Sequence, residues 1–147
     1  MSVPASFVLD ASVTATWLLP EAHTPASRRL YAQLRKQTVE CHAPNLWLWE
    51  CGNILANGVK RSRIAPLDTQ ALWVVLDAVR TRLALHELEP AQMKAALALG
   101  LDHRLSLYDA GYLWLALSLR LPLLTLDDRL AAAARAQKVP VVALDDF

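Results

Sequence analysis

The chain has 147 residues, 54% of them hydrophobic, which suits one domain with a sizeable core and leaves little room for a second. A formal net charge of +1 excludes the broad basic surface that grips long duplex DNA without sequence preference, and leaves room only for a local basic rim. No apolar run approaches the roughly 20 residues of a membrane span, and the opening MSVPASFVLD lacks the basic region and long apolar segment of a secretory signal, so a cytoplasmic chain with no membrane contact is expected.

Phe7-Val8-Leu9 predicts a short strand ending at Asp10, followed by a short helix that Ser12 caps and Pro20 stops. Thr24-Pro25 supplies an N-cap and a proline at the first helical position, and the stripe Ala26, Leu30, Leu34 predicts a surface helix to about Gln37. Val39 to Ala43 reads as a second strand, and Pro44 as the opening of a helix that carries Glu50 and runs to about Lys60. Cys41 and Cys51 form no C-x-x-C pair and have no histidine at zinc spacing, so both are expected as buried, reduced thiols. Pro66 starts a further helix, Leu83 to Leu88 reads as extended, and Pro90 begins the next helix. Asp102 and His103 are read as loop residues.

Ser106-Leu107-Tyr108-Asp109 has the S-x-x-D form of a capping box and opens a strongly apolar, largely buried helix to about Leu119. Leu121 to Leu126 reads as a buried strand, Asp127 to Gln137 as an alanine-rich helix, and Val139 to Leu144 as a last strand. Short apolar strands separated by helices predict an α/β protein, a three-layer α/β/α domain with a central, mainly parallel sheet.

In such a sheet ligands bind outside the carboxyl ends of the strands, where Asp10 and Asp127 fall. Plain explanations compete: Asp10 as a turn residue, Asp127 as an N-cap, Asp109 as the third position of the capping box. Glu50 shares a helix stripe with Leu46, Asn53 and Asn57, and a glutamate facing a core needs either an arginine or a metal. Four carboxylates gathered at one strand edge would repel one another unless a cation such as Mg²⁺ or Mn²⁺ lay among them, and acidic clusters of that kind recur in phosphodiester hydrolysis. Spacing alone does not establish that they converge. His23, His42, His86 and His103 are scattered and unpaired in sequence, and Trp17, Trp47, Trp49, Trp73 and Trp114 lie on patterns that suit core or subunit contacts.

The runs VLDASV (8–13), WECGNIL (49–55), YDAGYLWLAL (108–117) and LLTLDDRLAAAA (123–134), in this order and at these separations, resemble the PIN-domain ribonucleases, in particular the VapC-type toxins of bacterial toxin-antitoxin pairs. The resemblance spans essentially the whole chain as one PIN domain. No single run is specific, and the signal lies in their combination. It implies that Asp10, Glu50, Asp109 and Asp127 are the catalytic acids that hold Mg²⁺ or Mn²⁺, supported by Ser12, Thr125 and Asn53. It further implies metal-dependent cleavage of structured cellular RNA, often transfer RNA, a cognate antitoxin lying across the active site, and a homodimer. Lys60, Arg61, Arg63, Arg104 and Arg129 are candidates for an RNA-phosphate rim, though each taken alone also reads as a solvated charge. Asp128 reads as a solvated acid in a helix first turn. A phosphatase of the haloacid-dehalogenase kind needs D-x-D after its first strand, and Asp10-Ala11-Ser12 lacks the second acid. The remaining alternative is a catalytically silent PIN-like module that binds RNA or a partner chain.

Overall fold

Phe7, Val8 and Leu9 are completely buried, as the central strand of a sheet covered on both faces must be. In the computed structural model, which describes residues 2–147, they lie in β1 (Ser6–Leu9) in the middle of a five-stranded sheet. The others are β2 (Glu40–Pro44), β3 (Leu83–His86), β4 (Leu123–Leu124) and β5 (Val141–Val142), in the order β3-β2-β1-β4-β5. Each neighbouring pair is parallel, with Val8 in register with His42 on one side and Leu123 on the other. The chain therefore builds outward from β1 through β2 to β3, then crosses back to add β4 and β5 on the opposite side. The reversal falls between β1 and β4, and a crevice opens at the carboxyl ends of two strands whose connections diverge.

Helices α1 (Ala11–Leu18), α2 (Pro25–Arg35), α3 (Leu46–Lys60), α4 (Thr69–Arg80), α5 (Pro90–His103), α6 (Leu107–Leu119) and α7 (Asp128–Ala136) complete the α/β/α arrangement. Thr24 and Ser27 cap α2 reciprocally, each side chain bonded to the other's backbone N–H. Helix α6 packs on β1, β2 and β4, and buries Ala110, Gly111, Tyr112, Leu113, Leu115 and Ala116. A Cβ at Gly111 would stand 3.2 Å from Leu46 Cδ2, so this glycine lets α6 approach the start of α3 closely.

Several boundaries differ from the sequence reading. Ser12 lies inside the first turn of α1 instead of capping it, and Pro44 closes β2 instead of opening α3. Asp102 and His103 belong to the last turn of α5. Strands β4 and β5 are only two residues each. For β4 the cause is local: the Thr125 hydroxyl accepts the N–H of Asp127 at 3.0 Å, which turns the chain into α7 directly after Leu124. Cys41 and Cys51 are buried thiols, as expected. Among the described residues no helix is long and apolar enough to cross a membrane.

Candidate active site

The end of β1 is stitched to β4 by a bond from Asp10 N–H to the carbonyl of Leu124 at 3.0 Å, which delivers the Asp10 side chain to the β1–β4 crevice. Its Oδ2 receives two hydroxyl bonds, from Ser12 at 2.6 Å and from Thr125 at 2.8 Å. Each hydroxyl is itself oriented by a backbone donor, Leu126 N–H on Ser12 Oγ at 2.9 Å and Asp127 N–H on Thr125 Oγ1 at 3.0 Å. A carboxylate oxygen only accepts, so both hydroxyls point their protons at Asp10. Asp10 is only 4% exposed. Burial pushes its carboxyl above the ordinary range, the Ser12 and Thr125 bonds pull it back, and the charge of Asp127 pushes it up again.

Asp127 is an N-cap, as the plain reading held: its Oδ1 accepts the N–H of Leu130 at 3.0 Å. The cap uses one oxygen and fixes the orientation of the other. Asp109 makes only half of the predicted capping box. The Ser106 hydroxyl accepts the N–H of Asp109 at 3.1 Å, but the two residues do not form the reciprocal backbone bond of the box. Burial, then the charges of Asp10 and Asp127, raise the Asp109 carboxyl above its usual value, and the neighbouring Ser106 hydroxyl opposes the shift.

Glu50 projects from α3 into the same region. The arginine expected as its competing partner is absent, since the ion pairs among the described residues join His42 to Glu40, Arg63 to Glu21 and Arg80 to Asp77. Its Oε1 is buried without a hydrogen-bond partner, and so is the hydroxyl of Tyr112 on α6. The two groups adjoin without meeting hydrogen-bond geometry. Burial pushes Glu50 up to about 7; the neighbouring Tyr112 hydroxyl opposes the shift, and the charges of Asp10 and Asp109 add to it. Tyr112 gave no signal in the sequence because its position on an apolar helix is that of an ordinary core aromatic.

Asp10, Ser12, Glu50, Asn53, Asn57, Asp109 and Asp127 line one cavity of about 250 Å³. The fold thus brings all four predicted acids to one place. They stand around the cavity: among the described residues no three His, Cys, Asp or Glu side chains are drawn together as a ready-made metal-ligand set. The donors still suit a hard divalent ion, because all are oxygens and one of them, Glu50 Oε1, is buried with no partner. Thr125 is buried behind Asp10 and contributes through its hydroxyl.

The basic candidates lie apart from this cavity. Lys60 and Arg61 are exposed at the carboxyl end of α3, and Arg63 is paired with Glu21. Arg104 and Arg129 line a separate hollow beside His103. Asp128 is exposed in the first turn of α7, as expected. His42 and His86, scattered in sequence, meet across β2 and β3 with Nδ1 and Nε2 2.9 Å apart, but no histidine lines the acidic cavity.

With the fold and the cavity in place, the comparisons with known proteins agree. The family model of the PIN domain matches residues 7–136. Ribonuclease VapC3 of Pyrobaculum aerophilum is 32% identical over 128 residues, covering 84% of this chain and 91% of that protein. The crystal structure of PAE2754 from the same organism superposes with a TM-score of 0.69 at 22% identity, covering 96% of this chain and 90% of that one. The structure of Mycobacterium tuberculosis VapC20, described as a toxin that cleaves the sarcin-ricin loop, gives a TM-score of 0.61 at 18% identity, covering 86% and 94%. At such identities the two solved structures speak to the fold alone. The chain belongs to the PIN domain family, and within it to the VapC-type proteins.

Proposed function

We propose that this chain is a Mg²⁺- or Mn²⁺-dependent endoribonuclease, the toxin half of a toxin-antitoxin pair, acting in the cytoplasm as a single PIN domain over residues 1–147. The observation that carries the proposal is the meeting of Asp10, Glu50, Asp109 and Asp127 around one cavity at the sheet's switch point, with a buried Glu50 oxygen left unpaired. The ribonuclease VapC3 relative supports the same chemistry.

In this reading Asp10, Glu50, Asp109 and Asp127 hold the ion. When bound, the ion supplies the charge that acidifies water and stabilises developing negative charge on a phosphodiester. The protein's own contribution is positional. Ser12 and Thr125 lock Asp10 through Oδ2, so its other oxygen keeps one orientation. The α7 cap fixes Asp127 in the same way. Asn53 and Asn57 set amides at the cavity wall, where they can donate to phosphate or ribose oxygens. With no histidine in the cavity, proton transfer falls to water and the carboxylates. The proposed substrates are structured cellular RNAs, transfer RNA among them, and the proposed partners are a cognate antitoxin and a second copy of the chain.

The test is cleavage of an RNA pool by purified protein. Cleavage that requires Mg²⁺ or Mn²⁺, stops in EDTA and is lost in Asp10→Asn is the expected result. Cleavage that persists in EDTA, or equal cleavage by Asp10→Asn, contradicts the proposal.

A further inference from the structure

Two of the acids around the cavity are held by hydrogen bonds to their carboxylates, Asp10 by the hydroxyls of Ser12 and Thr125 and Asp127 by Leu130 N–H. Glu50 has no such support: its Oε1 is buried without a partner. A glutamate also has one more rotatable bond than an aspartate, so an ion must order more of the side chain when it binds. The acid that most needs a donor is the one left without it.

A donor stands beside it. Tyr112 is completely buried, and its hydroxyl adjoins the Glu50 carboxylate. Asp109 and Tyr112 are three residues apart on α6 and share one face of the helix, Asp109 at the cavity and Tyr112 beneath it in the core. On so apolar a helix, flanked by buried Leu113, Leu115 and Ala116, packing alone calls for a phenylalanine. The hydroxyl is therefore the atom to be explained, because a buried phenol normally finds a partner and an unmet donor is costly.

Among the described residues, the buried side-chain polar atoms without a partner are Glu50 Oε1 and the Tyr112 hydroxyl, and they belong to neighbouring groups. Two unrelated packing defects would have no reason to adjoin. A carboxylate and a phenol side by side are an acceptor and a donor, and a small rotation of the carboxylate is enough to pair them. What sets that rotation is the second carboxylate oxygen: when one oxygen is given to a cation, the other takes a fixed direction, and carboxylates that ligate metals are commonly held there by a hydrogen bond.

We propose that Tyr112 is the positioning residue of Glu50: its O–H donates to one oxygen of the carboxylate while the other faces the ion, and so does for Glu50 what Ser12 and Thr125 do for Asp10. The proposal rests on the metal-dependent reading above and adds to it a residue that does not line the cavity and touches neither ion nor RNA.

The experiment titrates Mn²⁺ into RNA-free wild type, Tyr112→Phe and Tyr108→Phe by calorimetry, and unfolds each protein with denaturant in EDTA. Tyr108 is exposed and precedes Asp109, so its variant controls for the loss of a phenol hydroxyl outside the pair. Tyr112→Phe should bind Mn²⁺ about 10-fold more weakly, as expected when the partner of a metal ligand is removed. In EDTA it should unfold at the wild-type denaturant concentration or slightly above it, because the bond it lacks forms with the ion. Tyr108→Phe should match the wild type in both measurements. Mn²⁺ added to the wild type should also give the near-ultraviolet difference spectrum of a phenol gaining an acceptor, and Tyr112→Phe should not show it. RNA cleavage by Tyr112→Phe should fall at low Mn²⁺ and recover toward the wild-type rate at saturating Mn²⁺.

Wild-type Mn²⁺ affinity in Tyr112→Phe overturns the proposal. So does a Tyr112→Phe protein that loses as much stability in EDTA as in Mn²⁺, because the hydroxyl then serves the fold and not the ion. If Tyr112→Phe binds Mn²⁺ like the wild type while Asp10→Asn does not, the role of Tyr112 fails and the metal-dependent reading stands. If the wild type itself binds no Mn²⁺, that reading fails and the proposal with it.

Discussion

The two walls of the acidic cavity are built differently. On the β1–β4 wall every polar contact is matched: Asp10 takes two hydroxyls, each hydroxyl takes a backbone N–H, and Asp127 caps α7. On the α3–α6 wall, Glu50 Oε1 and the Tyr112 hydroxyl are buried side by side with no partner. A buried unpaired polar atom costs about 1–3 kcal/mol, so the second wall bears a strain that the first does not. The difference shows what the chain supplies alone and what it leaves to be supplied. It fixes one carboxylate in advance and leaves a buried oxygen of another without a partner, where the proposed cation would serve.

The largest expected effect comes from breaking the finished wall at its centre. Asp10→Asn should reduce Mn²⁺-dependent RNA cleavage by about 100-fold or more while the protein still folds, because the amide keeps the shape and loses the charge. Initial rates with a labelled RNA measure it. Next, Ser12→Ala and Thr125→Ala should each weaken Mn²⁺ affinity by about tenfold, as losses of ligand-orienting partners do. Calorimetric titration reads this directly, and an unchanged affinity would mean that Asp10 needs no support.

The third effect probes the unfinished wall by pH. Glu50 titrates up to about 7 in the folded chain, above the ordinary 4.5. Between those values the folded state keeps a proton that the unfolded state has released, so stability is greatest below the window and falls as pH rises through it. Asp10 and Asp109, also raised, act in the same direction. In EDTA, the melting temperature of the wild type relative to Glu50→Gln should therefore fall from about pH 5 to about pH 7.5. Saturating Mn²⁺, which favours the ionised form, should reverse the trend. The smallest effect is that of Tyr112→Phe in the metal-free protein. It removes a hydroxyl that has no partner, so chemical denaturation should find stability changed by less than about 1 kcal/mol, or slightly improved.

The same contrast explains how far the sequence could be read. Asp10 was legible because it directly follows a short apolar strand, and Asp127 because it closes the apolar run Leu121 to Leu126, and strand ends are where a parallel sheet holds its ligands. Helix α2 was legible from Thr24-Pro25, since caps act through neighbours in sequence. Ser12 was misread as a cap because its actual partners, Asp10 and Leu126, come together only when β1 pairs with β4. Pro44 was misplaced for a similar reason: it lies in register with His86, so pairing with β3 holds it in β2 and delays α3 to Leu46. Tyr112 beside Glu50, the His42–His86 contact and the Arg63–Glu21 pair all join distant segments, and no local pattern announces them. Trp49 carries the reverse lesson. The pattern suited core or interface, and its exposure became visible only once α3 and α4 had packed.

The central claim is that these four acids together hold a divalent ion, and the most direct test is a melting curve in EDTA and in saturating Mn²⁺ for wild type, Asp109→Asn and Asp128→Asn. A ligand at 100 times its dissociation constant adds about 2.7 kcal/mol to the folded state, worth several degrees in a domain of this size. The wild type should gain that shift, and so should Asp128→Asn, whose side chain is outside the cavity. Asp109→Asn should gain far less, and in EDTA it should be no less stable than the wild type, because one repelling charge is gone. A full Mn²⁺ shift in Asp109→Asn together with its loss in Asp128→Asn would contradict the account.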